Sequence, residues 1–431
     1  MAELKKYKLG EIAEIYNGST PSTFDSSNYD GDIIWATPKD LSDQNSKYFS
    51  QGARNITQKG FDSCSTQMIP ANNILMSSRA PIGLFAINTV DCCTNQGFKN
   101  IVLDKSIADV DFMYYFLKYH VKEIEALGGG TTFREVSKTS FEKYEISIPS
   151  LPIQQKISAI LSNIDRKISV NHEINRNLEE LAKQIYDYWF VQFDFPNEDG
   201  KPYKTSGGKM VWNEILKRKI PVEWEVKPLG EIIIKLDSGK RPVGGIDKAL
   251  KSGIPSLGAE CIDDLGVFDF SSTSFIDFSY RERMSTGKIG NNDILIYKDG
   301  AYVGKTTLFR DNFPYEEAFV NEHIFLIHAQ EEHLEEYLYF SLKQKTYFQI
   351  MQNIGKAKAA QHGLNREDIQ SIFLIVPNKE IATDFHKKVE LLLAKIFNNA
   401  KSIGYLTNLR NTLLPLLMNG QVTLNSCLSH D

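Results

Sequence analysis

The chain has 431 residues, 42% of them hydrophobic and 24% charged, with a net charge of −5. That length suits two or three domains with ordinary cores, and the mild negative charge argues against an indiscriminate polycation while leaving room for a local basic face. Five cysteines (Cys64, Cys92, Cys93, Cys261 and Cys427) form no C-x-x-C pair, which suits a reducing cytoplasm better than a disulfide framework. The first residues lack an apolar core of signal-peptide length, and no stretch nears the ~18–20 apolar residues of a membrane span, so a cytoplasmic protein is expected.

In chain order, the first element is KLGEIAEIYNGSTPST, opening at Lys8. Short β-rich runs follow at 33–35, 73–76, 83–87 and 100–103, separated by Gly, Asn, Asp and Ser. The spacing of Phe112, Tyr115, Phe116 and Tyr119 predicts a helix over 111–126. Then come a glycine loop, GGGTTFREVSK, and a last strand at 144–149 that ends in proline. From Pro152 to Phe190 there is no internal Pro or Gly, and the spacing predicts one helix of roughly 58 Å at ~1.5 Å per residue. Its apolar seam includes Ile157, Ile164, Leu178 and Ile185, with Asn171 near the middle.

The second half repeats this order. KPLGEIIIKLDSGKRPVG opens at Lys227, so Leu9 answers to Leu229, an offset of 220 residues. Strands are expected at 293–297, 305–309, 323–328 and 371–377, a helix at 334–351, and a loop GKAKAAQHGLN before the last strand. Pro149 answers to Pro377 and Ile153 to Ile381, both at an offset of 228. The second long helix carries Phe385, Leu392, Asn399, Leu406 and Leu413, and Asn171 maps onto Asn399, which leaves two readings open: a buried polar pair setting the register, or a surface helix that tolerates an Asn. A pseudo-two-fold relating the helices makes them antiparallel, with the β-rich domains at opposite ends. Between the halves lies a connector with Phe190, Phe193, Phe195, Trp212 and Trp224, aromatics that imply packing. The expected fold is therefore α+β: two β-rich domains with short helices, a pair of long antiparallel coiled-coil helices, and an internal repeat. The boundaries read as 1–150, 151–191 (helix), 192–226 (connector), 227–378, 379–422 (helix) and 423–431 (tail).

Three motifs are decoys. GAYVGKT at 300–306 has three residues between its glycines where a phosphate-binding loop needs four, and the TTLF that follows reads as a strand rather than a helix. His323, His328 and His333 are spaced by five, which suits neither one helix face nor one strand face. Cys92 and Cys93 read as buried strand thiols.

The doubled LGEI start, the glycine loop before a proline-ended strand, the long helix after it, the central YDYWFVQFDFPNEDGKPYKTSGGKMVW and KRKIPVEWEVKPLGEI, and the closing LRNTLLPLLMNGQV together resemble the DNA-specificity subunits of type I restriction-modification systems. The resemblance covers essentially the whole chain. It implies a non-catalytic subunit with two target-recognition domains, each reading half of a split, asymmetric duplex DNA target. The helix pair would set the gap and dock two methyltransferase subunits. Those partners would carry S-adenosylmethionine and methylate adenine at N6, and restriction subunits using ATP and Mg would join them. No cofactor, metal, small-molecule substrate or membrane is expected for this chain itself, and it lacks the N-P-P-[FYW] motif of adenine methyltransferases.

Base edges are read by Arg, Lys, Asn, Gln and small hydroxyls. In the first half the candidates are Ser19 and Thr20, Ser78 and Arg79, Asn95 and Gln96, and Thr131, Thr132 and Arg134. In the second they are Lys240 and Arg241, Lys298, Tyr302 and Lys305, Asn321, and Lys356, Lys358, Gln361 and His362. Two other classes of function stay open at this level: a coiled-coil adaptor whose β-rich domains bind proteins, and an enzyme fused from duplicated domains. Salt-dependent binding to duplex DNA separates the first reading from the adaptor.

Overall fold

The computed structural model describes residues 3–44, 46–129, 134–240, 250, 252–281, 283–357 and 363–421. Arg241, Thr131, Thr132, Lys358, Gln361 and His362 lie outside the described residues. The chain divides into two compact units, Met1–Arg166 with Leu406–Asp431, and Lys167–Tyr405.

The first unit opens with β1 (Lys5–Lys8), a single helical turn α1 (Leu9–Ile12) and β2 (Ala13–Asn17). Its main sheet adds β3 (Tyr48–Phe49), β4 (Ile74–Ser78), β5 (Ile82–Asn88) and β6 (Phe98–Leu103), in the order β2-β6-β4-β5-β3. Strand register puts Ile15 opposite Ile101, Ile101 opposite Ile74, and Ile74 opposite Ile87. This row of β-branched side chains is almost fully buried, the arrangement in which cross-strand pairs stabilise a sheet most. The opposite face is covered too, by Ala36, Leu41, Phe49, Ile69 and Cys92. Both faces being dry, the strands read as continuous apolar runs instead of alternating ones. After α2 (Val110–Tyr119), β7 (Glu145–Ile148) returns to pair antiparallel with β1.

The second unit repeats this frame. β8 (Glu225–Pro228) and β9 (Ile233–Ser238) correspond to β1 and β2, and β10 (Ile294–Tyr297), β11 (Thr306–Leu308) and β12 (Ile324–Ala329) complete a sheet ordered β9-β12-β10-β11. The apolar row is now Leu236, Ile327, Ile294 and Leu308. β13 (Phe373–Val376) pairs with β8 as β7 does with β1.

Neither predicted short helix is continuous. The first breaks at His120, between α2 and Val121–Ala126. The second breaks at Gln344, whose ψ of 141° is extended, between α4 (Glu335–Lys343) and α5 (Lys345–Ala357). Apolar periodicity runs through both breaks, so the hydrophobic pattern alone does not reveal them.

The long helices are α3 (Leu151–Tyr186) and α6 (Lys379–Met418). In the second unit Asn175 lies against Ile396 and Asn399, and Tyr186 against Phe385 with ring centroids 6.1 Å apart. The two segments are therefore antiparallel, as expected. In the first unit Ile157 and Leu161 of α3 share a core with Leu413, Leu414, Leu417 and Met418 of α6, and Arg410 donates to Asp165 at 2.8 Å.

A buried polar pair is present, but it is not Asn171 with Asn399. Asn399 Nδ2 donates to Asn175 Oδ1 at 2.9 Å, and Asn175 Nδ2 donates to the Ile396 carbonyl at 3.1 Å; Asn171 is half-buried one turn away. The sequence counterpart of Asn399 is Asn171, but the residue that Asn399 meets lies one turn farther along α3. At the 228-residue offset Asn175 corresponds to Ile403, so the polar pair has no symmetric copy. The buried faces also drift from the heptad reading. Ile157 and Ile164 are buried and Leu178 and Ile185 half-buried; on α6 Phe385, Val389, Leu393 and Ile396 are buried, while Leu392 and Leu406 are half-buried. A straight helix of 3.6 residues per turn slips about 20° per heptad against a strict 3.5 repeat. Asn175→Ala leaves Asn399 buried without this partner, and a loss of about 1–3 kcal/mol is expected in urea unfolding. The double replacement of Asn175 and Asn399 by Leu is expected to recover most of that loss, because no unpaired polar group then remains.

In the connector, Phe190, Phe193, Phe195 and Trp224 are buried, with Phe195 stacked on Trp224 at 4.9 Å. Trp212 instead lies 51% exposed on the hairpin Met210–Asn213/Arg218–Pro221. Among the described residues no helix is long and apolar enough to cross a membrane.

Candidate nucleic-acid interface

In each unit one end of the sheet gathers four loops that are far apart in sequence. The first follows β2 and β9. Gly18 packs so closely on the backbone of Thr94 and Asn95 that a Cβ would lie 2.0 Å from the Asn95 carbonyl oxygen; at Gly239 it would lie 1.6 Å from that of Val320. The second loop precedes β6 and β12. Asn95 Oδ1 accepts from the Gly97 N–H at 2.9 Å, and Asn321 Oδ1 accepts from the His323 N–H at 2.9 Å. The third leaves β4 and β10 at Ser78-Arg79 and Lys298-Asp299. The fourth is the end of the glycine loop, where the Val136 N–H donates to Ser78 O at 3.1 Å and the Leu364 N–H to Lys298 O at 2.6 Å.

In the first unit these contacts bring Ser19, Thr20, Ser78, Arg79, Asn95, Gln96 and Arg134 to one edge. The Ser19 N–H donates to the Thr94 carbonyl, and Thr20 bonds to Gln96. Ser78 is fully buried, whereas Arg79 is 40% exposed and Arg134 is exposed. Glu135 holds two cations, Arg79 at 3.8 Å and the buried Lys99 at 3.1 Å. Lys99 and Glu135 were not among the sequence candidates. Lys99 stands inside a strand run, where a charged residue gives no loop signal, and Glu135 has the wrong sign for phosphate.

In the second unit Lys298 donates to Ser238 Oγ at 3.1 Å and lies over the Phe325 ring at 4.9 Å; burial lowers its pKa. The strand register makes Phe325 the counterpart of Lys99 and Lys298 that of Ser78. Both units thus place a lysine ammonium at this sheet end, one from each side of the strand pair. Lys240 is exposed, Tyr302 is 62% exposed, Lys305 pairs with Asp263 at 3.3 Å, and Lys356 is exposed near the end of α5.

Gly300–Tyr302 is a 3-10 turn, and Thr306–Leu308 is a strand, not a helix that would aim amides at phosphate. His323 pairs with Asp299 at 2.9 Å, His328 with Asp293 at 3.0 Å, and the His333 ring packs tilted against His386 with centroids 4.2 Å apart. Cys92 and Cys93 are fully buried, and burial pushes both thiols up to about 12.

Residues 1–180 and 221–399 match the family described as type I restriction modification DNA specificity domain. Over 430 residues the chain is 31% identical to the type I restriction enzyme MjaIX specificity subunit of Methanocaldococcus jannaschii, covering 96% of this chain and 92% of that protein. It is 24% identical over 478 residues to the type I restriction enzyme HindI specificity subunit of Haemophilus influenzae, covering 98% and 100%. The crystal structure of a type I restriction-modification system S subunit from M. genitalium has the same fold, with a TM-score of 0.60 at 18% identity over 96% of each chain.

Proposed function

Because the chain belongs to the family of type I restriction-modification DNA specificity subunits, which supply recognition and not catalysis, we propose that each of its two β-rich regions, 1–150 and 227–378, reads one half of a bipartite, asymmetric duplex DNA target. The observation that carries this reading is the recurrence of the same four loops at one sheet end in both units, on matching glycine seats, with unlike side chains. A shared frame with different reading groups suits a target whose halves differ. Ser19, Thr20, Arg79, Asn95, Gln96 and Arg134, with Thr131 and Thr132, contact the first half-site. Lys240, Lys298, Tyr302, Lys305, Asn321 and Lys356, with Arg241, Lys358, Gln361 and His362, contact the second. Ser78, being buried, acts through its neighbours.

Segments 151–191 and 379–422 set the unread gap and dock two methyltransferase subunits. Val170, Ile174 and Leu181 support docking, since they leave an exposed apolar stripe on α3 at helical spacing. S-adenosylmethionine resides on those partners, and ATP and Mg on restriction subunits.

Arg79→Ala tests the assignment. In the assembled methyltransferase, methylation mapping is expected to show relaxed preference in one half-site only, by the ~1–3 kcal/mol of a lost bidentate base contact. Unchanged affinity and preference would remove Arg79 from the interface. Inserting four residues, one helical turn, beside Asn171 is expected to change the gap between half-sites; an unaltered gap would sink the spacer role.

A further inference from the structure

The helix α5 (Lys345–Ala357) is more than a lead into the glycine loop. Its inner face packs down: Met351 is fully buried, Tyr347 and Ile354 are partly buried in the core of the unit, and Gly355 lies against Val303. Its outer face presents Gln349, Asn353 and Lys356, at successive helical spacings, all exposed. Gln352 Nε2 donates to the Val303 carbonyl, tying the helix to the turn that carries Tyr302 and Lys305. Phe348, Gln349, Gln352, Asn353 and Lys356 line a shallow groove of about 680 Å³.

We infer that this face of α5 enters the DNA major groove and reads base edges in the second half-site, with Gln349 and Asn353 as the specificity residues and Lys356 on a flanking phosphate. This rests on the second β-rich region being a recognition domain. Three observations carry it. Amide side chains are the groups that pair bidentately with adenine N6 and N7. The 13-residue helix contains two lysines and no carboxylate, so nothing on it repels phosphate. It spans about 20 Å, enough to lie across a groove ~12 Å wide. The matching helix of the first unit, Val121–Ala126, has six residues with Glu123 and Glu125 exposed. That surface is unsuited to the same task, so the two units read DNA by different means. Gln352, held by Val303, is a positioning residue.

The test uses the full chain assembled with its methyltransferase partners. Gln349→Ala with Asn353→Ala should unfold at the wild-type temperature, both side chains being exposed. Methylation mapping should show discrimination falling about tenfold or more at one or two positions of a single half-site. That half is the one Arg79→Ala leaves unchanged. Lys356→Ala should weaken binding to all sequences alike and reduce the salt slope by about one. Unaltered preference in the double variant, while Arg79→Ala still relaxes its own half, would overturn the helix as a reader and leave the two-domain reading standing. If Arg79→Ala and the double variant both leave every position unchanged, both fail. Lost methyltransferase capture with unaltered preference would make the face a protein contact and overturn the inference.

Discussion

Glu336→Ala is expected to destabilise the second unit by about 3–5 kcal/mol, the cost of removing one partner from a buried ion pair, read as a lowered urea midpoint at constant slope. Glu336 and Arg310 are both buried and lie 2.7 Å apart; His386 of α6 is 3.0 Å from the same carboxylate, and Glu390 stands 3.7 Å from Arg310. The cluster ties the strand end at Arg310, α4 and α6 together, so its loss is felt by sheet and long helix at once. It also makes stability depend on pH in both directions. Glu336 raises the pKa of His386 above its ordinary 6.5. The contribution of that histidine is therefore complete below about 6.5 and is lost as pH rises through the raised value. Burial alone would raise the pKa of Glu336, but His386 and Arg310 more than offset it and hold it below 4.5. Its contribution is present above about 4.5 and is lost as pH falls through the lowered value. Urea midpoints measured across pH should thus peak between about 4.5 and 6.5 in this component. His386→Phe should flatten the alkaline side and also weaken the acid side, because it removes one of the two cations that lower Glu336; an unchanged alkaline limb would remove His386 from the account.

The second large effect is expected at the paired glycine seats. Gly239→Ala places a methyl group 1.6 Å from a backbone oxygen, and Gly18→Ala one 2.0 Å away. Carbonyl groups do not yield as a flexible side chain does, so the two loops must part. A stability loss of about 1–3 kcal/mol is expected in thermal unfolding, with preference lost in one half-site per variant. Gly129→Ala, whose Cβ meets nothing within 4 Å, is the control and should stay within about 0.5 kcal/mol. Equal losses at all three positions would show that the seats have no special role.

The repeated frame was legible because burial on both faces leaves apolar strand runs that punctuation residues bound clearly. The antiparallel helices were legible from periodicity combined with the offset between the halves. What sequence could not supply was contact across the repeat. Asn171 and Asn399 match in the alignment of the halves, yet the residue that meets Asn399 is Asn175, because the offset between the halves does not encode which turn of one helix packs against which turn of the other. Lys99 and Lys298 do not align in sequence for a similar reason: they reach equivalent places in the two units, one from within a strand and one from the loop after a strand. Nothing in the sequence distinguishes Gly18 and Gly239 from other glycines, and only their distance to the Asn95 and Val320 carbonyls shows that they seat one loop on another. The amide face of α5 is hard to see in sequence because polar residues alternate there with the apolar ones that bury the other face.

The make-up of the first unit has a consequence for how the chain is produced. Its core includes Leu417 and Met418, both nearly fully buried, and Asn419 donates to Tyr119. All of the second unit is synthesised before those residues appear. The region made first therefore lacks part of its core until the last turns of α6 are made. Removing the residues from Leu413 onward should leave the adjacent second unit intact and expose protease sites in the distant first one, a pattern opposite to what proximity in the sequence would suggest.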